Sequence, residues 1–338
     1  MKISVAMCTW NGEKYIEEQL RSILSQTVPV DELVICDDQS TDNTISIIRL
    51  FQQQYPGIIR LEINTERLNA RKNFEKSIGL CTGDLIFLCD QDDQWVDIKV
   101  AVTIAFFKNT PSALGMFTNG NILGDDGIVS GRSVWGSISF STTLQQEATA
   151  ANLLEMLLKL NNFVTGAALC IRKEARTMII PFFCPAPLYW HDYWIALQLA
   201  QRNQLYHVNE KLINYRVHSA QQIGFSDKRP DNDEAAFKEA IWYLKSEELP
   251  LQSSVPYLAN AIKRCITFLP HLQSQETNPG RVQAVIRELE SAFAARKKTY
   301  INRMPFIEKK KLLIKSWQRP DKYHYLNFKD KLKLFFLF

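Results

Sequence analysis

Along the first ninety residues, short apolar runs alternate with segments in which apolar side chains recur every three or four positions. Short apolar runs bounded by turn residues are typical of buried strands, and the longer spacing is typical of amphipathic helices. The pattern predicts strands at 2–10, 31–40, 58–65 and 84–90, with helices at 11–26, 41–56 and 70–81. This order predicts an α/β fold with an open, mostly parallel sheet flanked by helices.

Beyond residue 100 the pattern is mixed. It predicts strands at 112–123 and 163–175, a strand and polar loop at 205–224, and helices at 149–161 and 191–203. Residues 125–150 are rich in Gly, Ser and Thr and predict a loop. After Phe225 the chain reads as helices with charged faces. We therefore expect a sheet domain over residues 1–225 and a helical C-terminal region over residues 226–338.

Charge is concentrated at the C-terminus. The formal net charge is +4, which is too small to indicate a nucleic-acid partner, and we expect none. Residues 301–338 carry ten Lys and Arg against three Asp and Glu, a local charge of +7 that leaves residues 1–300 at −3. Basic segments mixed with aromatic and aliphatic residues bind anionic membrane surfaces. The alternative is that this segment docks on the rest of the chain or on a partner.

Cysteine usage and hydropathy bear on the compartment. Several of the seven cysteines lie inside apolar runs and no CxxC pair occurs, which predicts reduced, buried thiols. No apolar run reaches the ~18–20 residues needed to span a bilayer. The N-terminus begins directly in a strand pattern without a signal-peptide core. We expect a cytoplasmic protein, peripheral on the inner face of a bacterial cell membrane if the basic tail binds lipid.

Polar residues follow three of the predicted strands. Thr9, Trp10 and Asn11 come after the first strand, Asp37 and Asp38 after the second, and residues 90–93 after the fourth. In open parallel sheets, ligands bind beyond the carboxyl ends of the strands. The three clusters therefore predict one binding site at a single edge of the sheet.

Three aspartates within residues 90–93 should repel one another unless a cation lies among them. Asp90 and Asp92 have the spacing to aim two carboxylates at one hard divalent cation, Mg²⁺ or Mn²⁺, which prefers oxygen ligands. The alternative is a helix cap, in which Asp92 or Asp93 begins a helix over 94–106. From the spacing alone both roles stay open, and one aspartate could serve each; Asp93 is then the better candidate for the cap.

Four segments together resemble a known family. The stretches CTWNGEKYIEEQLRSILSQT, ELVICDDQSTDNT, GDLIFLCDQDDQW and HDYWIA are similar to family 2 glycosyltransferases of the GT-A (Rossmann-like) fold. The pattern D-Q-D-D-x-W-x-x-x-K, completed by Trp95 and Lys99, resembles the bacterial rhamnosyltransferase-like branch. The resemblance covers about residues 1–225. The family often has glycine near Ala70, which leaves the shape of that loop open.

The resemblance implies a role for each matching residue. Those expected to bind the donor are Thr9, Trp10 and Asn11 at the nucleobase, Asp37 and Asp38 at base and ribose, and Asp90, Gln91, Arg216 and His218 toward the diphosphate. Arg71 and Lys72 either touch the donor or lie on a solvated helix face. The implied metal ligands are Asp90, Asp92 and His218. Asp192 matches the general base, with an ordinary helix N-cap as the alternative.

The implied reaction is metal-dependent sugar transfer with inversion. The donor is a nucleotide sugar, with dTDP-rhamnose as the specific expectation. The acceptor is a saccharide or lipid-linked saccharide in bacterial surface polysaccharide synthesis, such as O-antigen or capsule. Two alternatives stay open: an inactive binding or scaffold protein on the same fold, and a nucleotidyltransferase, which usually has a Gly-rich basic loop after the first strand that this chain lacks.

Overall fold

The computed structural model describes residues 1–138, 140–160, 162–183, 190–219, 221, 251–273 and 279–303. The chain divides into two compact units. The first comprises Met1–Leu154 and Asn162–Asp233, and the second comprises Glu155–Asn161 and Glu234–Phe338.

The first unit is built on one curled sheet. Its strands are β1 Ile3–Thr9, β2 Glu32–Asp37, β3 Ile59–Ile63, β4 Leu85–Cys89, β5 Gln94–Trp95, β6 Gly115–Gly124, β7 Val129–Ser133, β8 Leu169–Arg172 and β9 Leu205–Val217. Within the described part of the chain the order is β3-β2-β1-β4-β8-β6-β9-β5, and β7 pairs with β6. The pairs β3-β2, β2-β1, β1-β4 and β6-β9 are parallel. The predicted mostly parallel α/β sheet is confirmed.

The helices of this unit are short. They are α1 Ile16–Leu24, α2 Thr44–Gln54, α3 Asn69–Leu80, α4 Lys99–Asn109, α5 Val134–Ser137, α6 Thr142–Glu147, α7 Leu153–Lys159 (which continues into the second unit), α8 Arg176–Ile179 and α9 His191–Ala200. The loop predicted over 125–150 is wrong, because β7, α5 and α6 form there. β7 pairs with β6, and serine side chains cap the N-termini of α5 and α6. Composition alone does not reveal these contacts.

Register brings the predicted polar clusters to one edge. Thr9 pairs with Asp37 across β1 and β2, and Met7 pairs with Cys89 across β1 and β4. The residues that follow β1, β2 and β4 therefore lie side by side, because the carboxyl ends of parallel strands meet at the same edge. β1, β2 and β4 are almost wholly buried, which fixes this arrangement rigidly.

The second unit contains two long helices, α10 Leu251–Gln273 and α11 Pro279–Arg303. They bury apolar side chains at three-to-four-residue spacing: Leu258, Ala261, Cys265, Phe268 and Leu272 on α10, and Val282, Val285, Ile286 and Leu289 on α11. Arg264 donates to the carbonyl oxygens of Leu158, Lys159 and Leu160 at 3.3–3.4 Å, so α10 is tied to the end of α7. Both helices lie within the predicted helical region 226–338, whose other residues are outside the described ranges.

Other expectations have mixed outcomes. The six cysteines in the described ranges are free thiols, as predicted. No helix that the structure describes has both the length and the apolar character needed to cross a bilayer. The basic tail lies almost entirely in residues 304–338, outside the described residues.

Gly83 offers a test of the packing that holds β1 against β4. A Cβ at this position would lie 2.6 Å from Ser4 Oγ and 2.8 Å from the Lys2 carbonyl oxygen. Gly83→Ala should therefore lower the free energy of unfolding by about 1–3 kcal/mol, as overpacking does. Gly79→Ala is the control, since a Cβ there meets nothing within 4 Å, and it should stabilise α3 by roughly 0.5–1 kcal/mol. Equal urea midpoints for the two variants would contradict the packing described.

Candidate active site

A cavity of about 650 Å³ opens at the carboxyl edge of the sheet. This volume suits a small-molecule ligand. Of the predicted site residues, it is lined by Thr9, Trp10, Asn11, Asp38, Asp90, Gln91, Asp92, Asp192 and His218. Asp37, Arg71, Lys72 and Arg216 do not line it. Nine of the thirteen predicted site residues thus line the cavity, and the three predicted Arg and Lys residues do not.

The loop after β4 carries three crowded carboxylates, of which Asp93 is buried and Asp90 and Asp92 are half-buried. The pKa of Asp90 is raised to about 7, first by burial and then by the charges of Asp92 and Asp192. Burial likewise raises the pKa of Asp93 well above its usual range. Burial is also the main cause that lowers the pKa of Lys99 to about 8; its ammonium group donates to the Ala167 carbonyl oxygen at 2.8 Å. The loop thus favours a bound cation, because each added charge disfavours ionisation of its neighbours.

Asp93 does not cap a helix, contrary to the sequence prediction. Gln94 and Trp95 form β5, which pairs with β9, and α4 begins only at Lys99 with Ile98 as its N-cap. Asp93 Oδ1 instead accepts a hydrogen bond from the Arg216 main-chain N–H at 2.9 Å. The aspartate therefore joins the loop to β9, a long-range pairing that local sequence patterns do not reveal.

Arg216 lies beneath the carboxylate loop, which corrects its predicted contact with the diphosphate. Its side chain is 2% exposed. Nε donates to the Asp92 carbonyl oxygen at 2.8 Å, Nη1 donates to that of Gly124 at 3.3 Å, and Nη2 forms an ion pair with Glu18. Because neighbouring side chains on a strand point to opposite faces, Tyr215 lines the cavity and Arg216 does not. Arg216 thus fixes the loop from behind.

His218 and Asp92 meet at the cavity wall. His218 Nε2 lies 2.9 Å from Asp92 Oδ2, and the His218 ring packs on the Tyr15 ring with centroids 4.6 Å apart. Among the described residues, no group of three metal-ligating side chains is close enough to enclose an ion. An imidazole and two cavity-lining carboxylates nevertheless suit a hard divalent cation that takes further oxygen ligands from a bound phosphate. The donor set fits a shared metal site.

Gln91 connects the loops after β1 and β4. Its side-chain oxygen accepts from the Trp10 main-chain N–H at 2.8 Å, and its side-chain nitrogen donates to the Trp10 carbonyl oxygen at 3.0 Å. This reciprocal pair aligns the predicted nucleobase loop with the carboxylate loop. On the solvent side, the Arg67 guanidinium lies 3.7 Å from the Trp10 ring centroid, in cation–π contact.

Asp37 and Asp38 are both buried but differ in position. Asp37 accepts from the hydroxyl groups of Thr9 and Ser40 at 2.7 and 2.6 Å and lies behind the cavity wall. Its predicted direct contact with base and ribose does not fit this position. Asp38 lines the cavity and accepts from the main-chain N–H groups of Leu68 and Asn69. It therefore shapes the loop that precedes α3.

The missing glycine near Ala70 has a structural explanation. Asn69 has a φ of 61° and takes the left-handed conformation of this loop. Asparagine adopts that region more readily than most residues, so Ala70 needs no special backbone freedom. The following Lys72 forms an ion pair with Glu75 at 3.0 Å and is 57% exposed. Lys72 therefore lies on a solvated helix face, which was the alternative to donor binding. Arg71 also lies outside the cavity lining.

Asp192 lies in the first turn of α9 and lines the cavity. The N-cap of this helix is Trp190, so the alternative that Asp192 is only a cap is wrong. Burial raises the pKa of Asp192 to about 6, although hydrogen bonds from Asn162 and from the main chain oppose the shift. A half-buried carboxylate with a pKa near 6 is suited to accept a proton at neutral pH.

His191 is a buried neutral imidazole beside this carboxylate. It stacks on Phe74 with centroids 4.0 Å apart, and neither ring nitrogen has a hydrogen-bond partner in the described structure. Burial lowers the pKa of His191 to about 3. His191 therefore adds an uncharged aromatic surface to the cavity next to Asp192.

A further cluster, which sequence patterns did not predict, lines the cavity next to His218. Lys14 Nζ and the Tyr15 hydroxyl group both donate to Asp125 Oδ1, at 2.6 and 2.5 Å. All three residues line the cavity. Lys14 and Tyr15 directly follow the predicted Asn11 cluster, which is the one sequence signal that pointed to them. Asp125 lay in the segment predicted to be a structureless loop.

Comparisons with known proteins agree with the motifs. The model of glycosyl transferase family 2 matches residues 4–152. The dTDP-rhamnosyl transferase RfbG of Shigella flexneri is 30% identical over 231 residues, 64% of this chain and 73% of that protein. An uncharacterised glycosyltransferase of Nostoc sp. is 27% identical over 226 residues, 65% of this chain and 66% of that protein, just under two thirds of its length. The predicted family resemblance is confirmed.

Two solved structures share the fold. TarS 1–349 of S. aureus, in complex with UDP-GlcNAc, aligns with a TM-score of 0.53 and 17% identity over 96% of this chain and 89% of that chain. The mannosyltransferase PcManGT of Pyrobaculum calidifontis, in complex with GDP-Man and Mn²⁺, aligns with a TM-score of 0.50 and 17% identity over 99% of this chain and 85% of that chain. The predicted GT-A fold is confirmed.

Proposed function

Because this chain belongs to glycosyl transferase family 2, we propose that it moves a sugar from a nucleotide-sugar donor to a saccharide hydroxyl group, with inversion. One observation carries this proposal: a single cavity is lined both by Asp90 and Asp92 and by the half-buried Asp192. The first two carboxylates suit a diphosphate with its cation, and the third suits a general base. Both halves of a transfer reaction thus have their residues at one site.

Donor binding is assigned to the wall formed by β1, β2 and β4. Thr9, Trp10 and Asn11 line the part of the cavity where the nucleobase is expected, and Asp38 lies at the neighbouring strand end. Gln91 supports this wall through its paired hydrogen bonds with Trp10. Asp37 and Arg216 act behind the wall, where they hold Thr9 and the carboxylate loop in position.

Asp90, Asp92 and His218 would hold Mg²⁺ or Mn²⁺, a use supported by the Mn²⁺ complex of PcManGT. When bound, the cation offsets the negative charge that develops on the departing diphosphate. The contact between His218 and Asp92 keeps these two side chains together before a ligand arrives.

Asp192 takes the proton of the attacking acceptor hydroxyl group. A hydroxyl group is a weak nucleophile, and a positioned base contributes ~10²–10⁴-fold to such a step. One base on the face opposite the leaving group gives direct displacement, so the transferred carbon inverts and no covalent intermediate forms. The neutral His191 beside it adds no charge that would oppose proton uptake.

The finer assignments concern substrates and location. The relative RfbG supports dTDP-rhamnose as the donor. The proposed acceptor is a saccharide or lipid-linked saccharide of a bacterial surface polysaccharide such as O-antigen or capsule. Residues 1–225 form the proposed catalytic domain and residues 226–338 the helical region. The basic tail would attach the enzyme to the inner face of the cell membrane from the cytoplasm.

Asp192→Asn should lower kcat at least ~100-fold, because it removes the base, while nucleotide-sugar binding measured by thermal shift with Mn²⁺ stays near wild type. Asp97→Asn, an exposed aspartate outside the cavity, is the matched control. In the wild type, kcat/KM should fall as the pH drops below about 6, since the base must be deprotonated. If kcat/KM fell only near pH 4, or if Asp192→Asn lost donor affinity, Asp192 would not be the general base.

Asp92→Ala should abolish the gain in nucleoside diphosphate affinity that Mn²⁺ provides, because the carboxylate that contacts His218 is removed. Isothermal titration of dTDP, UDP and GDP with and without Mn²⁺ measures this gain. Asp126→Ala, on the exposed β6–β7 turn, should keep it. An Asp92→Ala protein with an unchanged Mn²⁺ dependence would remove Asp92 from the metal site.

The membrane proposal is tested with lipid vesicles. The full chain should bind vesicles that contain phosphatidylglycerol and ignore pure phosphatidylcholine vesicles, with affinity falling as salt rises. Replacing Lys309, Lys310 and Lys311 by Gln should weaken binding roughly 100-fold, at about 1 kcal/mol per lysine. Lys108→Gln and Lys173→Gln are the charge controls. Equal binding to both lipids would show that the tail has another role.

A further inference from the structure

The cavity lining is strongly acidic for a site that takes a diphosphate. Five aspartates line it: Asp38, Asp90, Asp92, Asp125 and Asp192. A nucleoside diphosphate would bring about two further negative charges into this cavity at neutral pH, since one phosphate ester already carries about −1.5 to −2. The predicted cations Arg71, Lys72 and Arg216 lie outside the lining. Among the described residues, Lys14 is the one lysine or arginine that lines the cavity.

Lys14 is connected to the candidate metal ligands through neighbouring side chains. Its Nζ lies 2.6 Å from Asp125 Oδ1 and 4.9 Å from the Tyr15 ring centroid. The same Tyr15 ring packs on His218, which contacts Asp92. The lysine is therefore adjacent to a connected series of side chains that ends at the candidate metal ligands.

The local chemistry leaves Lys14 able to bind a phosphate. An ammonium group has three donors, and Asp125 uses one of them through Oδ1. The side chain is 62% exposed, so it can turn toward a ligand without unpacking a core. Asp125 and the Tyr15 hydroxyl group both raise the pKa of Lys14, which keeps it protonated.

We propose that Lys14 binds the diphosphate of the donor and stabilises it as the leaving group, and that the lysine exchanges its contact with Asp125 for the phosphate when the donor binds. This role rests on the proposed function. In the transfer step the bond between the sugar carbon and the diphosphate oxygen breaks, and its electron pair stays on that oxygen. Lys14 keeps its proton and lowers the energy of the charge that develops there, as charge-assisted hydrogen bonds do.

A purely structural role makes a different prediction. The Lys14–Asp125 pair also joins the segment after β1 to the β6–β7 turn, so Lys14 could matter only as an anchor. In that case removing either partner should have the same effect. If Lys14 binds phosphate, the loss of Asp125 removes a competing negative charge and leaves the lysine available to the ligand.

The test measures dTDP, UDP and GDP binding to the full chain by isothermal titration with Mn²⁺, alongside the matching monophosphates. Lys14→Met should weaken binding of the preferred diphosphate roughly 10-fold or more and reduce its advantage over the monophosphate. Lys14→Arg keeps the charge and should stay within about 3-fold of wild type. Asp125→Asn should bind at least as well as wild type, and Lys108→Met is the exposed control.

Each result decides the proposal. Unchanged diphosphate affinity in Lys14→Met would overturn it, and so would equal losses in Lys14→Met and Asp125→Asn, which would identify an anchor. Equal losses for the diphosphate and the monophosphate would also overturn it, because the lysine would not then read the second phosphate. If the wild type binds none of the three diphosphates, the proposed function itself fails, and the role of Lys14 with it.

Discussion

The guanidinium of Arg216 joins three parts of the chain beneath the carboxylate loop: Glu18 in α1, the main chain of Asp92, and Gly124 at the end of β6. Carboxylates that are buried and crowded repel one another and lose hydration. Without partners in fixed positions, the carboxylates of this loop would separate or take up protons. Arg216 and the buried Lys99 supply those partners from behind. The cavity face of Asp90 and Asp92 therefore stays available to a ligand.

Sequence patterns located the edge of the sheet well. Strands β1, β2 and β4 are almost wholly buried, so their apolar runs predicted them. Their register then placed Thr9, Asp38 and Asp90 at one edge. Sequence patterns are less informative about the face of the sheet to which a side chain points. Arg216 and Asp37 occupy the expected positions along the chain, yet their side chains lie behind the wall, because facing depends on which residue of a strand meets which neighbour.

The remaining differences come from contacts between distant segments. Asp93 was assigned to a helix cap, but Gln94 and Trp95 pair with a strand more than a hundred residues away. The only local signal for Lys14 was its place after the Asn11 cluster, since its partner Asp125 lies on a turn between β6 and β7, in a segment whose composition predicted a loop. Pairings of this kind depend on the assembled sheet. A single sequence predicts the elements better than it predicts which of them exchange hydrogen bonds.

Burial acts with opposite sign on the two kinds of titratable group around Asp192. The pKa of His191 is near 3, so in acid the unfolded chain takes up this proton first, and folding weakens through His191 as pH falls below the usual histidine range. The pKa values of Asp90 and Asp192 are near 7 and 6, so the folded chain takes up these protons first, and folding strengthens through them. Between roughly pH 4 and 6.5 the two contributions oppose each other. In the metal-free protein, the effects of His191 and of the two aspartates on stability therefore partly cancel in acid, while the net charge of the cavity changes.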